Sequence, residues 1–142
     1  MATYRITHAR DPETEIEQAK EFIDRNGYCF WACHPNQTFD YDLIVFRKNT
    51  DDNPGSYSEG AYGILKVSGY IDKTPEMQSQ LIAGMPSQWV DFGEVENFKR
   101  FARVTEILQV KIPVTLIFSV NSGELLKPTQ LHANGRIRVN HS

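Results

Sequence analysis

Two tryptophans are the residues of this sequence whose type and position best suit ligand chemistry. Trp31 lies near the end of an apolar segment, whereas Trp89 lies in a polar segment flanked by proline and glycine. An exposed indole in a polar loop requires an explanation, and stacking on a flat group such as a nucleic-acid base is one. The alternative is that both side chains pack in the core, as large aromatic residues usually do.

Basic residues could hold a phosphate backbone. Lys99, Arg100 and Arg103 cluster at the start of one predicted strand, and Arg136 and Arg138 alternate on another, so this pair shares a face. These five side chains are the predicted phosphate contacts, with a solvated strand face as the alternative. The net charge of −3 and the pI of about 5.8 argue against coating nucleic acid by bulk charge but allow a local basic patch.

Motifs for catalysis and for metal binding are weak. The sequence has no nucleophile elbow, no P-loop, no paired histidine ligands and no convincing triad, which favours a protein that is not an enzyme. Cys29, Cys33 and His34 lack a second ligand pair elsewhere in the sequence. Cysteines four residues apart in a strand are too distant for a disulfide, so we expect two small buried residues. We expect neither a metal nor a cofactor.

Length and composition indicate one globular domain over residues 1–142. The hydrophobic content of 40% and the charged content of 23% are ordinary for such a domain. No apolar run approaches the ~18 residues that a membrane helix needs. The first residues are too polar for a signal peptide, so we expect a cytoplasmic protein without membrane contact.

Hydrophobic periodicity predicts one long helix and several strands. Asp11-Pro12 begins the helix and Asn26-Gly27 ends it, which places it over residues 12–26. Strands are predicted over residues 3–8, 28–33, 42–48, 61–71, 98–110 and 135–139, with a strand or a helical turn over 115–120. A short helix could end at Gly84, and residues 85–97 are expected to form an irregular loop. The pattern predicts an α+β fold: a small β-barrel of about five or six strands, with one long helix after the first strand and short peripheral helices.

The order of these landmarks resembles the YTH and EVE branches of the PUA-like superfamily. In YTH domains a strand with a tryptophan is followed by a small residue, a proline and an asparagine, here FWACHPN. The segments LIVFRK, AYGILKVSGY, PSQWV and FKRFARVTEILQVKIPV then follow in the YTH order, and GRIRV is similar to the end of EVE domains. The resemblance covers most of residues 3–139 and consists of order and spacing.

The resemblance implies recognition of a modified base: methylated adenine in RNA for YTH, and modified cytosine in DNA for several EVE-like domains. We expect the base to be flipped out and held in an aromatic cage. The predicted walls are Trp31, Trp89, Tyr28 and Tyr62, with core packing as the alternative for the tyrosines. The predicted readers of the base edge are Asp11, Asn36 and the backbone of Ala32 and Cys33. Asp11 lies in the loop where many YTH members carry asparagines that contact the base. The alternatives are that Asp11 is a helix N-cap and that Asn36 is a turn residue.

Two other functions stay open at this point. ASCH-type relatives hydrolyse small amides with a lysine and a carboxylate, and Lys66 could take that role if it were buried beside a carboxylate in a cleft. A module that binds protein or a small ligand without nucleic acid would have both tryptophans packed away. Base binding instead requires two indoles that face each other across an open gap. We expect a monomeric domain, which could be the sensing domain of a larger McrB-like restriction or defence polypeptide.

Overall fold

A seven-stranded mixed sheet and one long helix form most of the structure, a computed structural model that describes residues 2–38, 40–49, 56–127, 130–131 and 135–140. The strands of these residues are β1 (Ala2–Ala9), β2 (Cys29–Cys33), β3 (Leu43–Arg47), β4 (Gly63–Asp72), β5 (Arg100–Leu108), β6 (Ile117–Ser119) and β7 (Arg136–Val139). The helices are α1 (Pro12–Asn26), α2 (Gln78–Ala83), α3 (Ser87–Asp91) and α4 (Glu94–Asn97). The mixed α+β fold is confirmed, with more strands than the five or six predicted.

The long helix α1 has the predicted bounds. Gly27 ends it with a φ of +85°, a left-handed conformation that favours glycine. The apolar face of the helix buries Ile16 and Ala19 in the same cluster as the central strands. Asp11 occupies the N-cap position, but its side chain makes no capping hydrogen bond. Its backbone N–H instead donates to Oε2 of Glu15 at 2.9 Å. The side chain of a residue one turn later therefore provides the acceptor for this backbone donor at the helix start.

The sheet has the order β2-β5-β4-β3-β1-β7-β6. Strands β1 and β3 run parallel, and every other pairing in this order is antiparallel. A parallel pair requires a crossover connection, which α1 and β2 supply here. Strands β2 and β6 are the two edges over the described residues, so the sheet is open there and closure into a barrel stays a prediction.

Two apolar clusters stabilise the sheet. One packs α1, α2 and α3 against β2, β4 and β5, and includes Leu43 and Leu65. The other joins β1, β3, β6 and β7, and includes Ile44 and Ile137. Because successive side chains of a strand point to opposite faces, Leu43 and Ile44 serve different clusters. This explains the continuous apolar run of β3, which is buried on both faces.

The segment that was expected to be an irregular loop contains two short helices. Residues 85–97 form α3 and α4, which the turn at Gly93 connects with a φ of +87°. Trp89 of α3 and Val95 of α4 are buried, and that burial is what keeps helices of five and four residues in place. The loop prediction was therefore wrong, because tertiary packing stabilises helices that are too short to form alone.

We predict that alanine at two glycines has unequal effects on stability. Gly60 and Gly123 both have left-handed φ values, +81° and +71°. A Cβ at Gly60 would collide with the carbonyl oxygen of Ile112, whereas a Cβ at Gly123 would meet no atom within 4 Å. Gly123→Ala should lower the free energy of unfolding by about 1–2 kcal/mol through backbone strain alone. Gly60→Ala should lower it by roughly a further 1–3 kcal/mol through overpacking.

Urea unfolding followed by tryptophan fluorescence measures both free energies. Equal losses for the two variants would show that the contact between Gly60 and the strand-like segment at Ile112 has no energetic consequence.

Candidate functional site

The two tryptophans lie together in the structure. Trp31 of β2 and Trp89 of α3 have ring centroids 5.6 Å apart and planes at 90°, an edge-to-face contact. Only 4% of Trp31 and 7% of Trp89 is exposed. The sequence thus identified two distant residues that converge, but the expectation of two rings facing each other across an open gap was wrong. The edge of one ring fills the space that a base would occupy.

A hydrogen bond to helix α1 holds Trp89 in this position. The indole Nε1 donates to Oε1 of Gln18 at 2.8 Å. The indole N–H of a buried tryptophan usually requires such an acceptor. Gln18 was not predicted as a site residue. Its position on the predicted helix, two residues from the buried Ile16, was the available signal, but its partner could not be inferred without the fold.

Two partly buried carboxyl groups lie near this tryptophan pair. Burial raises the pKa of Glu15 on α1, and burial together with the charge of Glu15 raises the pKa of Glu94 on α4. Arg10 partly offsets both shifts. Glu94 is only partly exposed, and α4 places it close enough to Glu15 of α1 for the two charges to interact. Each carboxyl group can therefore hold a proton at a higher pH than an ordinary glutamate, and a protonated carboxyl can donate a hydrogen bond.

The two tyrosines predicted as further walls make other contacts. Tyr28 packs edge-on against Phe30, with ring centroids 5.3 Å apart, and lies 4.7 Å beneath the guanidinium of Arg103. Tyr62 is buried, and its hydroxyl donates to Glu59 at 2.6 Å. Core packing, the alternative for Tyr62, is what the structure shows.

The predicted readers of the base edge lie in three different places: on β2, in the turn after it and at the start of α1. Ala32 and Cys33 follow it on the edge strand β2, where they pair with residues of β5. Burial raises the pKa of the Cys33 thiol to about 12, so it is a neutral buried group with no partner cysteine bonded to it. Asn36 is exposed in a turn beyond the strand, and its backbone N–H donates to Nδ1 of His34 at 3.2 Å. Asp11 is exposed at the start of α1, close to Glu15.

The predicted phosphate contacts form two separate groups. Lys99, Arg100 and Arg103 belong to the start of β5, whereas Arg136 and Arg138 belong to β7, and three strands lie between these two. Arg100 pairs with Asp72 at 2.7 Å, and Arg136 donates to Asn121 at 3.3 Å. The five cations therefore do not form a single rim around the tryptophans.

A group of cations that was not predicted lies at the start of α1, where β1 and β3 end. Arg47 donates to the carbonyl oxygen of Arg10 at 3.4 Å, and the backbone of Lys48 donates to Ala9 at 2.8 Å. The Lys111 ammonium lies 3.4 Å from the ring centroid of Tyr62. These cations come from three separate segments, so no local sequence pattern could have grouped them.

Lys66 lies in a groove, although not as the amide-hydrolase alternative requires. The groove has a volume of about 320 Å³, and Lys66 lines it together with Asp42 and Glu106. Glu106 is the direct cross-strand partner of Lys66. The side chain of Lys66 is exposed rather than buried, so it lacks the desolvation that activates a catalytic lysine.

No family model, no curated protein and no solved structure matches the chain. In the described part of the chain, no helix combines the length and the apolar character needed to cross a membrane. The same residues contain no group of three or more His, Cys, Asp or Glu side chains that could hold a metal ion. The functional case therefore depends on the geometry around Trp31 and Trp89.

We predict that Glu94→Gln raises the melting temperature at pH 7. The pKa of Glu94 is raised, so its ionised form opposes folding, and stability falls as the pH rises from the ordinary glutamate value through the raised one. Glutamine removes both the desolvated charge and its repulsion with Glu15. Below about pH 4 the wild-type carboxyl is protonated, so the difference between variant and wild type should disappear.

Calorimetric melting at pH 7 and at pH 3.5 provides the measurement. Glu96→Gln is the matched control, because Glu96 is exposed on the same short helix. A gain as large in the control as in Glu94→Gln would contradict the assignment to the Glu15 and Glu94 pair.

Proposed function

We propose that this domain binds nucleic acid carrying a modified base, and that the base is held between Trp31 and Trp89 without being chemically changed. One observation carries the proposal: two indoles from distant segments meet at 5.6 Å, one on an edge strand and one on a short peripheral helix. A methylated base offers a flat apolar surface and a polar edge, which two indoles and neighbouring polar groups can accommodate.

We infer that the observed edge-to-face arrangement is the closed form of the proposed site. A base can enter only if Trp89 moves away from Trp31, which breaks the edge-to-face contact and the hydrogen bond to Gln18. These two interactions are worth roughly 0.5–1.5 kcal/mol each. Stacking on aromatic rings contributes about 1–3 kcal/mol per base, a free energy of the same size as these two interactions together. Helix α3 is short and lies between Pro86 and Gly93, which favours its movement as a unit.

Polar groups at the start of α1 complete this arrangement. Glu15 and Glu94 lie there, and their carboxylates would accept a hydrogen bond from an amino group on the base edge. Arg10, Lys48 and Lys111 are exposed at the same end of the helix and would attract the flanking phosphates.

We further propose that the domain is of the PUA-like kind, related to YTH and EVE domains and located in the cytoplasm. The long helix after the first strand and the parallel pairing of β1 and β3 support this fold. A tryptophan on β2 and a second one on α3, in that order, also support it. Closure of the open sheet into a barrel remains part of the proposal.

We predict that the intrinsic fluorescence of the protein responds to an oligonucleotide with one methylated base. Both indoles lie at the site, so insertion of a base should quench their emission. Single-stranded RNA and DNA nine-mers, each with and without a central methylated adenine or methylated cytosine, are the probes. Trp89→Ala should weaken binding of the preferred oligonucleotide by about 5- to 100-fold, the effect of one lost stack.

A flat response to all the oligonucleotides, or one that methylation does not change, would overturn the base-binding proposal. That result would favour a module for protein or small-ligand binding, in which a packed tryptophan pair is also expected.

We predict that Gln18→Ala strengthens binding of the same oligonucleotide, because it removes the hydrogen bond that holds Trp89 in the closed position. The expected gain is about 2- to 10-fold, the equilibrium equivalent of one net hydrogen bond. The matched control is Gln88→Ala, which removes an exposed glutamine of α3 next to Trp89. Weaker binding by Gln18→Ala would show that the closed tryptophan pair is a structural contact rather than a site that opens.

A further inference from the structure

One row of side chains runs across the sheet from the tryptophan site to an exposed tyrosine. Trp31 of β2 lies directly opposite Ala102 of β5, and Ala102 lies directly opposite Tyr70 of β4. Direct partners of antiparallel strands point to the same face of the sheet. Two strand spacings separate Trp31 from Tyr70, a distance of about 10 Å. Ala102, between the two aromatic residues, is fully buried in the same apolar cluster as Trp31.

A bulge in β4 places Tyr70 in this row. Between Val67 and Tyr70 the strand advances three residues, while its partner β5 advances two, from Val104 to Ala102. Gly69, within this step, has a φ of +150° that few other residues adopt. Without the extra residue, Tyr70 would point to the opposite face, because a one-residue slip reverses every side chain of a strand.

Tyr70 is exposed and yet held in place. Of its surface, 53% is accessible, and the guanidinium of Arg100 lies 4.7 Å from its ring centroid. Arg100 is itself fixed by two hydrogen bonds to Asp72, at 2.7 and 3.2 Å, and by one to the carbonyl oxygen of Gln37. A ring held in this way loses little conformational entropy when a base stacks on it.

We propose that Tyr70 and Arg100 stack the base next to the modified one, and that the target of this domain is therefore single-stranded nucleic acid. This inference rests on the proposed function. Stacked bases in a duplex are 3.4 Å apart along each strand, whereas Trp31 and Tyr70 are about 10 Å apart. Two neighbouring bases can reach both residues only if the strand is unstacked and extended, as it is in single-stranded complexes.

The charges near this row fit a single strand better than a duplex. Arg100 is paired with Asp72, so its contribution is mainly a planar surface for stacking. Lys99 is exposed immediately before β5 and is available to a phosphate. Arg103 belongs to the next row, whose side chains point to the opposite face of the sheet, and it lies over Tyr28 there. It is therefore not part of the stacking surface that Tyr70 and Arg100 form. Lys99 and the three cations at the start of α1 are few charges, which suits a short extended strand, whereas a duplex site usually neutralises many phosphates.

Tyr70→Ala tests whether Tyr70 and Arg100 stack the base next to the modified one. Three probes are needed: the free methylated nucleoside, a single-stranded nine-mer with that nucleoside at its centre, and the same nine-mer in a duplex. The variant should bind the single strand about 5- to 100-fold more weakly than the wild type and should bind the free nucleoside equally well. Tyr70→Phe should restore the affinity, because phenylalanine keeps the aromatic face. Wild-type protein should bind the single strand more tightly than the duplex.

Tyr41→Ala is the matched control. Tyr41 is 37% exposed and lies under Arg5, which pairs with Asp40 just as Arg100 pairs with Asp72, but Arg5 belongs to β1, which two strands separate from β5. Equal losses for the two tyrosine variants, no loss for Tyr70→Ala, or a duplex bound as tightly as the single strand would each overturn the inference while leaving base binding intact. A wild-type protein that binds none of the probes would overturn the proposed function as well.

Discussion

The pairing of β5 with two different strands is the constraint on which the candidate site depends. β5 joins β2 on one side and β4 on the other, so it fixes where the edge strand with Trp31 stands relative to the rest of the sheet. The two pairings share Ala102, whose small side chain separates two aromatic residues in one row. An error of one residue in either register would move Trp31 or Tyr70 to the other face. Both faces are packed against buried residues nearby, which makes such an error unfavourable.

Packing against α1 then holds the two tryptophans in their edge-to-face contact. The helix buries its apolar face against the sheet, and the polar residues beside that face meet α3 and α4. Gln18 accepts the indole N–H of Trp89, and Glu15 lies close enough to Glu94 to raise its pKa. The site thus combines a well-satisfied hydrogen bond with an unfavourable pair of carboxyl groups. The proposed opening requires the closed form to be only slightly more stable than the open one, so that ligand binding can reverse the balance.

Charge in this protein is organised locally rather than overall. The whole chain carries a formal net charge of −3, and many of its carboxylates lie on α1 and α4. Cations gather instead at the ends of β1 and β3 and at the start of β5, each group next to aromatic rings. Such a surface would attract a nucleic acid only at short range and in one orientation. It fits a module that reads one or two bases better than a protein that coats a long polymer.

The sequence by itself determined the elements whose signals are local. The bounds of α1 follow from the breaker at Gly27 and its 3.6-residue periodicity, and the buried strand at β3 follows from its continuous apolar run. It also singled out Trp31 and Trp89, the latter because an indole in a polar segment is unusual. Only the tertiary structure decided that these rings touch edge to edge, that residues 85–97 form helices, and that the cations divide into separate groups. Each of these depends on contacts between residues far apart in the chain, such as Trp89 with Gln18, and periodicity and composition carry no information about such distances.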